Sequence, residues 1–167
     1  LGLFGSSNFV NHPTVPLKDV VAMLNMDMIG RLNKDRLFIG GVGTSPQFKP
    51  WLEELDKPVH LQLDYSDSGY GASDHMSFNA KKIPVLFFFS GLHTDYHKPS
   101  DTYDKINFDN VKRNATLVAM FAYQASEDPS KASRTRRVPP TDARTGQPMR
   151  VPVCRTPPRS WAGSQAR

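Results

Sequence analysis

The sequence predicts an α/β layered fold in one domain with no membrane-spanning segment, and three observations carry that reading in turn. Short apolar runs of strand character alternate with stretches whose apolar residues recur at helical spacing. The longest apolar run, residues 83–89, is far shorter than the roughly 20 residues a membrane span needs. Its 167 residues suffice for one domain on the usual scale of roughly 100–200 residues.

Each element has its own signal. Residues 18–30 (KDVVAMLNMDMIG) open with a continuous aliphatic run, which reads as a strand buried on both faces. Residues 36–43 (RLFIGGVG) read as a second strand ending in glycines. Phe48, Trp51, Leu52 and Leu55 fall at i, i+3, i+4 and i+7, one face of a helix behind a Thr-Ser-Pro start. Residues 60–65 (HLQLDY) alternate as a strand with one wet face would, and residues 83–89 (IPVLFFF) read as a fully buried strand. Val111, Ala115, Val118, Ala119 and Ala122 mark a closing helix over 109–124.

Charge divides the chain at a seam. The formal net charge is +5, yet residues 127–167 carry nine Lys and Arg against three Asp and Glu, so the body is close to neutral. The basic pI of about 9.4 therefore belongs to the end of the chain and gives no reason to expect a nucleic-acid surface on the body. Half of the 14 prolines also lie beyond Tyr123. That composition offers too little apolar surface to offset ordering entropy, so residues 126–167 are expected to be a disordered basic linker or tail, with 1–125 the folded part. The single cysteine, Cys154, lies in that tail, which excludes an internal disulfide and a cysteine zinc cluster. The chain starts at Leu1 without a signal-peptide pattern, and we expect it to be a piece truncated at its N-terminus.

Three segments carry chemistry. Asp27 sits between Met26 and Met28 in an apolar strand, where a lone carboxylate is costly to bury and needs a cation, a helix N-terminus or a metal. A salt-bridged or hydrogen-bonded core aspartate is the simpler reading and a metal ligand the other, and its place just before Gly30, at a strand end where open α/β sheets bind ligands, adds weight to the second. Residues 66–78 (SDSGYGASDHMSF) form a Gly/Ser-rich loop entering a short helix with Ser73 or Asp74 at the N-cap. Asp74 and His75 fit either a ligand pair or a capping aspartate beside a half-buried histidine. Residues 90–104 (SGLHTDYHKPSDTYD) crowd polar groups at the mouth of the most apolar strand. His93 and His97 are four apart, but Gly91 and Pro99 argue for a loop, and Thr94 stands where a helical H-E-x-x-H motif needs Glu. Imidazole and carboxylate donors of this kind suit zinc, manganese or cobalt.

Taken in order and at their separations, LGLFGSSNF, NMDMIGR, GASDHMSF and IPVLFFFSGLHTDYHKPSDTYDKIN resemble the C-terminal half of the twenty-eighth metallopeptidase family, over roughly residues 1–123. The resemblance implies a mixed sheet flanked by helices, the zinc-exopeptidase (phosphorylase/hydrolase-like) architecture, and two Zn2+ per complete domain. It implies that Asp27 is the carboxylate ligand of one zinc and His97 the histidine ligand of the other. Tyr96 matches a tyrosine whose hydroxyl steadies the oxyanion, and Ser73 a residue that orients the Asp27 carboxylate. Asp74, His75 and Asp101 match motif positions with supporting roles, while His12, His60 and His93 read as surface or packing histidines.

The family's first histidine, bridging aspartate and Glu-Glu pair come from upstream and are absent, so two of five protein ligands are here. The resemblance therefore implies a metal-dependent exopeptidase, most simply an aminopeptidase acting on a peptide with a free terminus, inactive as the isolated piece. No G-x-S-x-G elbow offers a serine nucleophile instead. A glutaminyl-cyclase-like member with one zinc is an alternative, as is a non-catalytic binding domain on the same scaffold. Export from the cell is implied by family analogy alone.

Overall fold

The structure is a computed structural model and describes residues 2–32, 34–129 and 132. Four strands, β1 (Met23–Asp27), β2 (Arg36–Gly40), β3 (Gln62–Ser66) and β4 (Val85–Phe89), form one mixed sheet in the order β1-β4-β2-β3. β1 runs parallel to β4 and β2 parallel to β3, while β4 lies antiparallel to β2. Helices α1 (Phe4–Asn11), α2 (Phe48–Leu55), α3 (His75–Ala80) and α4 (Phe108–Glu127) complete the architecture.

Strand alternation sorts the side chains into two layers. Leu37 and Ile39 of β2 and Leu86 and Phe88 of β4 are fully buried with Phe48 and Leu52 of α2 and Leu117 and Phe121 of α4. The Phe48 and Phe121 rings meet edge-to-face at 5.2 Å, and Trp51 adds a second edge contact to Phe121 at 5.8 Å. Each such fully buried side chain contributes about 1.5–3 kcal/mol of transfer free energy. The odd-numbered residues of β4 turn to the other face, where α3 stacks His75 on Phe87 at 4.4 Å and α1 stacks Phe9 on Phe78 at 5.7 Å.

Several expectations are corrected. The run at 18–22 is not strand, since a short 3-10 turn occupies Leu17–Asp19 and β1 begins at Met23. Nor is β1 buried on both faces: it is the edge strand, paired with β4 alone, and Met26 is 46% exposed. β4 is interior, yet only Val85, Leu86 and Phe88 are buried, because Phe87 and Phe89 lie on the thinner layer under α3. The second strand stops at Gly40. Gly41 has φ +87°, and a Cβ there would stand 2.3 Å from the Val85 carbonyl oxygen, so the chain passes β4 only as glycine. Helix α1 has no strong apolar stripe and was not foreseen.

Helix α4 begins where Asn107 accepts from the Asn110 N–H at 3.0 Å, and it runs to Glu127, two residues into the segment expected to be linker. Ala132 is also buried with the core. The rest of the 126–167 expectation, including Cys154, lies outside the described residues. No described helix is long and apolar enough to cross a membrane.

Candidate metal site at the mouth of the sheet

Because β1 and β4 are parallel, their C-terminal ends leave the sheet on the same side, with Asp27 opposite Phe89 in the register. Residues 28–31 and 90–101 therefore emerge side by side. The backbone turns sharply straight after Asp27, since Met28 has φ +53°, a left-handed conformation that is uncommon for a bulky side chain. Ser90 Oγ donates to the Met28 carbonyl and Asn107 N–H donates to the Gly30 carbonyl at 2.9 Å, which holds that turn.

Asp27 is half-buried, and Ser73 Oγ donates to its Oδ2 at 2.9 Å. Among the described residues no Lys or Arg comes within salt-bridge distance of it. Asn25 Nδ2 donates to Ser73 Oγ at 2.8 Å and stands 3.3 Å from His75 Nδ1. His75 is only 2% exposed, and burial lowers its pKa against the opposing pull of Asp27 and Asp74, which favours the neutral imidazole, with Nδ1 turned to the Asn25 amide N–H. Asp74 occupies the N-cap of α3 without a side-chain capping bond. Of the ways to satisfy the Asp27 charge, the described residues supply one hydroxyl and no Lys or Arg, a carboxylate environment that fits a divalent metal.

The second expected ligand, His97, is exposed in the 90–101 loop with φ +56°, its ring stacked on Tyr96 at 3.9 Å. Successive turns, Tyr96 N–H to the His93 carbonyl at 3.1 Å and Lys98 N–H to the Asp95 carbonyl at 2.9 Å, replace a helix, as Gly91 and Pro99 led us to expect. Tyr96 is 43% exposed. Among the described residues no three His, Cys, Asp or Glu are placed to hold one ion; Asp27 ends β1, and His97 lies in the loop that follows the neighbouring β4.

Arg31 was not singled out in the sequence. Its Nη1 donates to Asp95 Oδ2 at 2.7 Å and its Nη2 to Asp101 Oδ1. Ser100 Oγ, Arg31 and Lys105 Nζ together hold the Asp95 carboxyl well below the usual carboxylate range, and Arg31 is raised in turn, first by its bond to Asp95. Asp104 is held low first by its bond from Thr102. His93 is half-buried, with Nδ1 3.4 Å from Arg31 Nη1 and Nε2 3.9 Å from Asp101 Oδ2. With Met28, Arg31, Asp101 and Tyr103 it lines a cavity of about 410 Å³. His12 and His60 are exposed. The sequence carries no local signal for Arg31, because its partners Asp95 and Asp101 lie more than sixty residues away.

The model of peptidase family M28 matches residues 1–122, most of the chain. The chain belongs to peptidase family M28. Among relatives, a probable leucine aminopeptidase of Arthroderma benhamiae is 30% identical over 129 residues, covering 74% of this chain and 35% of that protein. The Legionella pneumophila LapA aminopeptidase has a TM-score of 0.61 at 29% identity, covering 73% of this chain and 35% of its own. A zinc aminopeptidase from Bacillus subtilis, BSAP, has a TM-score of 0.65 at 25% identity, covering 82% and 36%. This M28 chain thus spans about 35% of the length of the curated relatives it matches.

Proposed function

We propose that this M28 chain forms part of the catalytic domain of a zinc-dependent aminopeptidase, in which Asp27 holds one of two zinc ions and His97 the other. The observation that carries the reading is the Asp27 carboxylate, oriented by Ser73 and without a Lys or Arg partner among the described residues, at the mouth shared with the His97 loop. The family match and the aminopeptidase relatives support it.

Bound zinc would supply Lewis-acid polarisation of the scissile carbonyl and a water of depressed pKa. The chain's own residues do the rest of what is asked of this side of the site. Ser73 fixes the rotation of the Asp27 carboxylate through a hydrogen bond that a freely turning side chain would lack. Tyr96, adjacent to His97 and half-exposed, presents its hydroxyl as a donor to the oxyanion that develops at the substrate carbonyl. Neither role needs a serine or cysteine nucleophile, and the general base is ascribed to an upstream glutamate by the family resemblance.

The test is hydrolysis of leucine p-nitroanilide by the complete protein. Activity is expected to vanish on chelation, return with zinc, and be lost in Asp27→Ala and in His97→Ala, each of which remains folded by circular dichroism. Activity that survives chelation or either substitution overturns the assignment.

A further inference from the structure

We propose that Arg31 is a positioning residue that ties the His97 loop to the end of β1, setting where the His97 imidazole stands relative to Asp27. The inference rests on the metal-site reading above and deepens it.

Arg31 lies four residues beyond Asp27, and its two carboxylate partners, Asp95 and Asp101, bracket His97 at two residues before and four after. One guanidinium thus grips both sides of the loop segment that carries Tyr96 and His97. Between residues 25–31 and 90–101, four side-chain hydrogen bonds join the two segments among the described residues. One is Ser90 to the Met28 carbonyl; the other three are Arg31 to His93, Asp95 and Asp101.

The loop has little else to hold it. Residues 96–101 are exposed, their backbone bonds are local turns, and His97 has a left-handed φ. A segment with few buried contacts opens at low cost unless something ties it. Arg31 can tie it because its side chain is only 17% exposed and its planar fork reaches two carboxylates at once, a geometry an ammonium does not reproduce. Asp95 is braced as well by Ser100 Oγ within the loop at 2.7 Å and by Lys105 Nζ just beyond it at 3.0 Å, so the grip transmits to the segment as a unit. The charges of Arg31 and Lys105 are matched by those of Asp95 and Asp101, so the clamp does not oppose a cation bound beside it.

The test is zinc affinity by chelator competition, with the thermal midpoint measured alongside, for the complete wild-type protein and for Arg31→Met, Arg31→Lys, His97→Ala and Arg31→Met/His97→Ala. Arg31→Met is expected to weaken one zinc by roughly 10–100-fold, as loss of a ligand-orienting partner does, and Arg31→Lys is expected to recover only part of it. In the His97→Ala background the same Arg31 substitution is expected to change affinity less than about twofold, because the ligand it positions is gone. An equal loss in both backgrounds, or no loss in either, overturns the proposal. If Arg31→Met fails to fold, Asp101→Asn on the exposed arm of the fork is put through the same cycle with the same expected non-additivity. A wild-type protein that binds no zinc overturns the underlying metal-site reading, whereas zinc that is lost in Asp27→Ala but unaffected by Arg31→Met overturns the positioning role alone.

Discussion

Ser73 donates its hydroxyl proton to Asp27, and the direction of that bond is set by Asn25. Asn25 Nδ2 donates to Ser73 Oγ at 2.8 Å, which leaves the single hydroxyl proton for the carboxylate at 2.9 Å. His75 Nδ1, 3.3 Å from the same amide nitrogen, accepts its second N–H and so fixes which way the amide faces. Three residues from β1 and the start of α3 thereby aim one carboxylate.

Removing the middle member tests this arrangement. Ser73→Ala is expected to lower zinc affinity by roughly 10–100-fold while the far-ultraviolet circular dichroism is unchanged. Zinc affinity equal to wild type in a chelator competition would show that Asp27 needs no orienting partner.

Tyr96→Phe separates binding from chemistry. A hydroxyl that bonds only to the oxyanion lowers kcat and leaves KM nearly unchanged, and loss of such a donor costs about 2.7–4 kcal/mol of barrier in other enzymes. Steady-state kinetics on leucine p-nitroanilide showing an unaltered kcat would remove Tyr96 from the chemistry.

Gly41→Ala tests how the sheet closes. A Cβ at that position meets the Val85 carbonyl oxygen at 2.3 Å with φ at +87°, so both strain and collision oppose it. The expected loss is on the order of 3 kcal/mol or more by urea denaturation. A midpoint like wild type would mean that β2 leaves the sheet along another path.

Tyr65 supplies a pH test of packing. Burial, then Glu53 and Asp56, push its phenol up to about 12, while in the unfolded chain it titrates near 10. The group thus contributes stability below about pH 10 that is lost as pH rises toward 12, because only the unfolded state ionises there. Tyr65→Phe is expected to make that alkaline decline of the thermal midpoint shallower, and an identical decline would place the ring in water.

Much of the fold was legible because its signals are local. The helical spacing of Phe48, Trp51, Leu52 and Leu55 and the alternation at 60–65 depend on nearby residues, and both elements formed close to where they were expected, the strand starting two residues later at Gln62. The burial of β1 was misread because an apolar run reports hydrophobicity, not rank in the sheet, and edge position is decided by the partners of β4 and β2. Asp27 stood out as a charge among apolar neighbours. Arg31 did not, since an arginine after a glycine at a strand end looks like any solvated residue until Asp95 and Asp101, more than sixty residues away, are brought to it.

The central claim is that Asp27 and His97 serve one metal centre. Zinc-edge anomalous diffraction from crystals of the complete protein tests it most directly. We predict two peaks a few ångströms apart, one bonded by the Asp27 carboxylate and the other by the His97 imidazole. Zinc bound elsewhere, or Asp27 and His97 facing separate pockets with no ion between them, would contradict it.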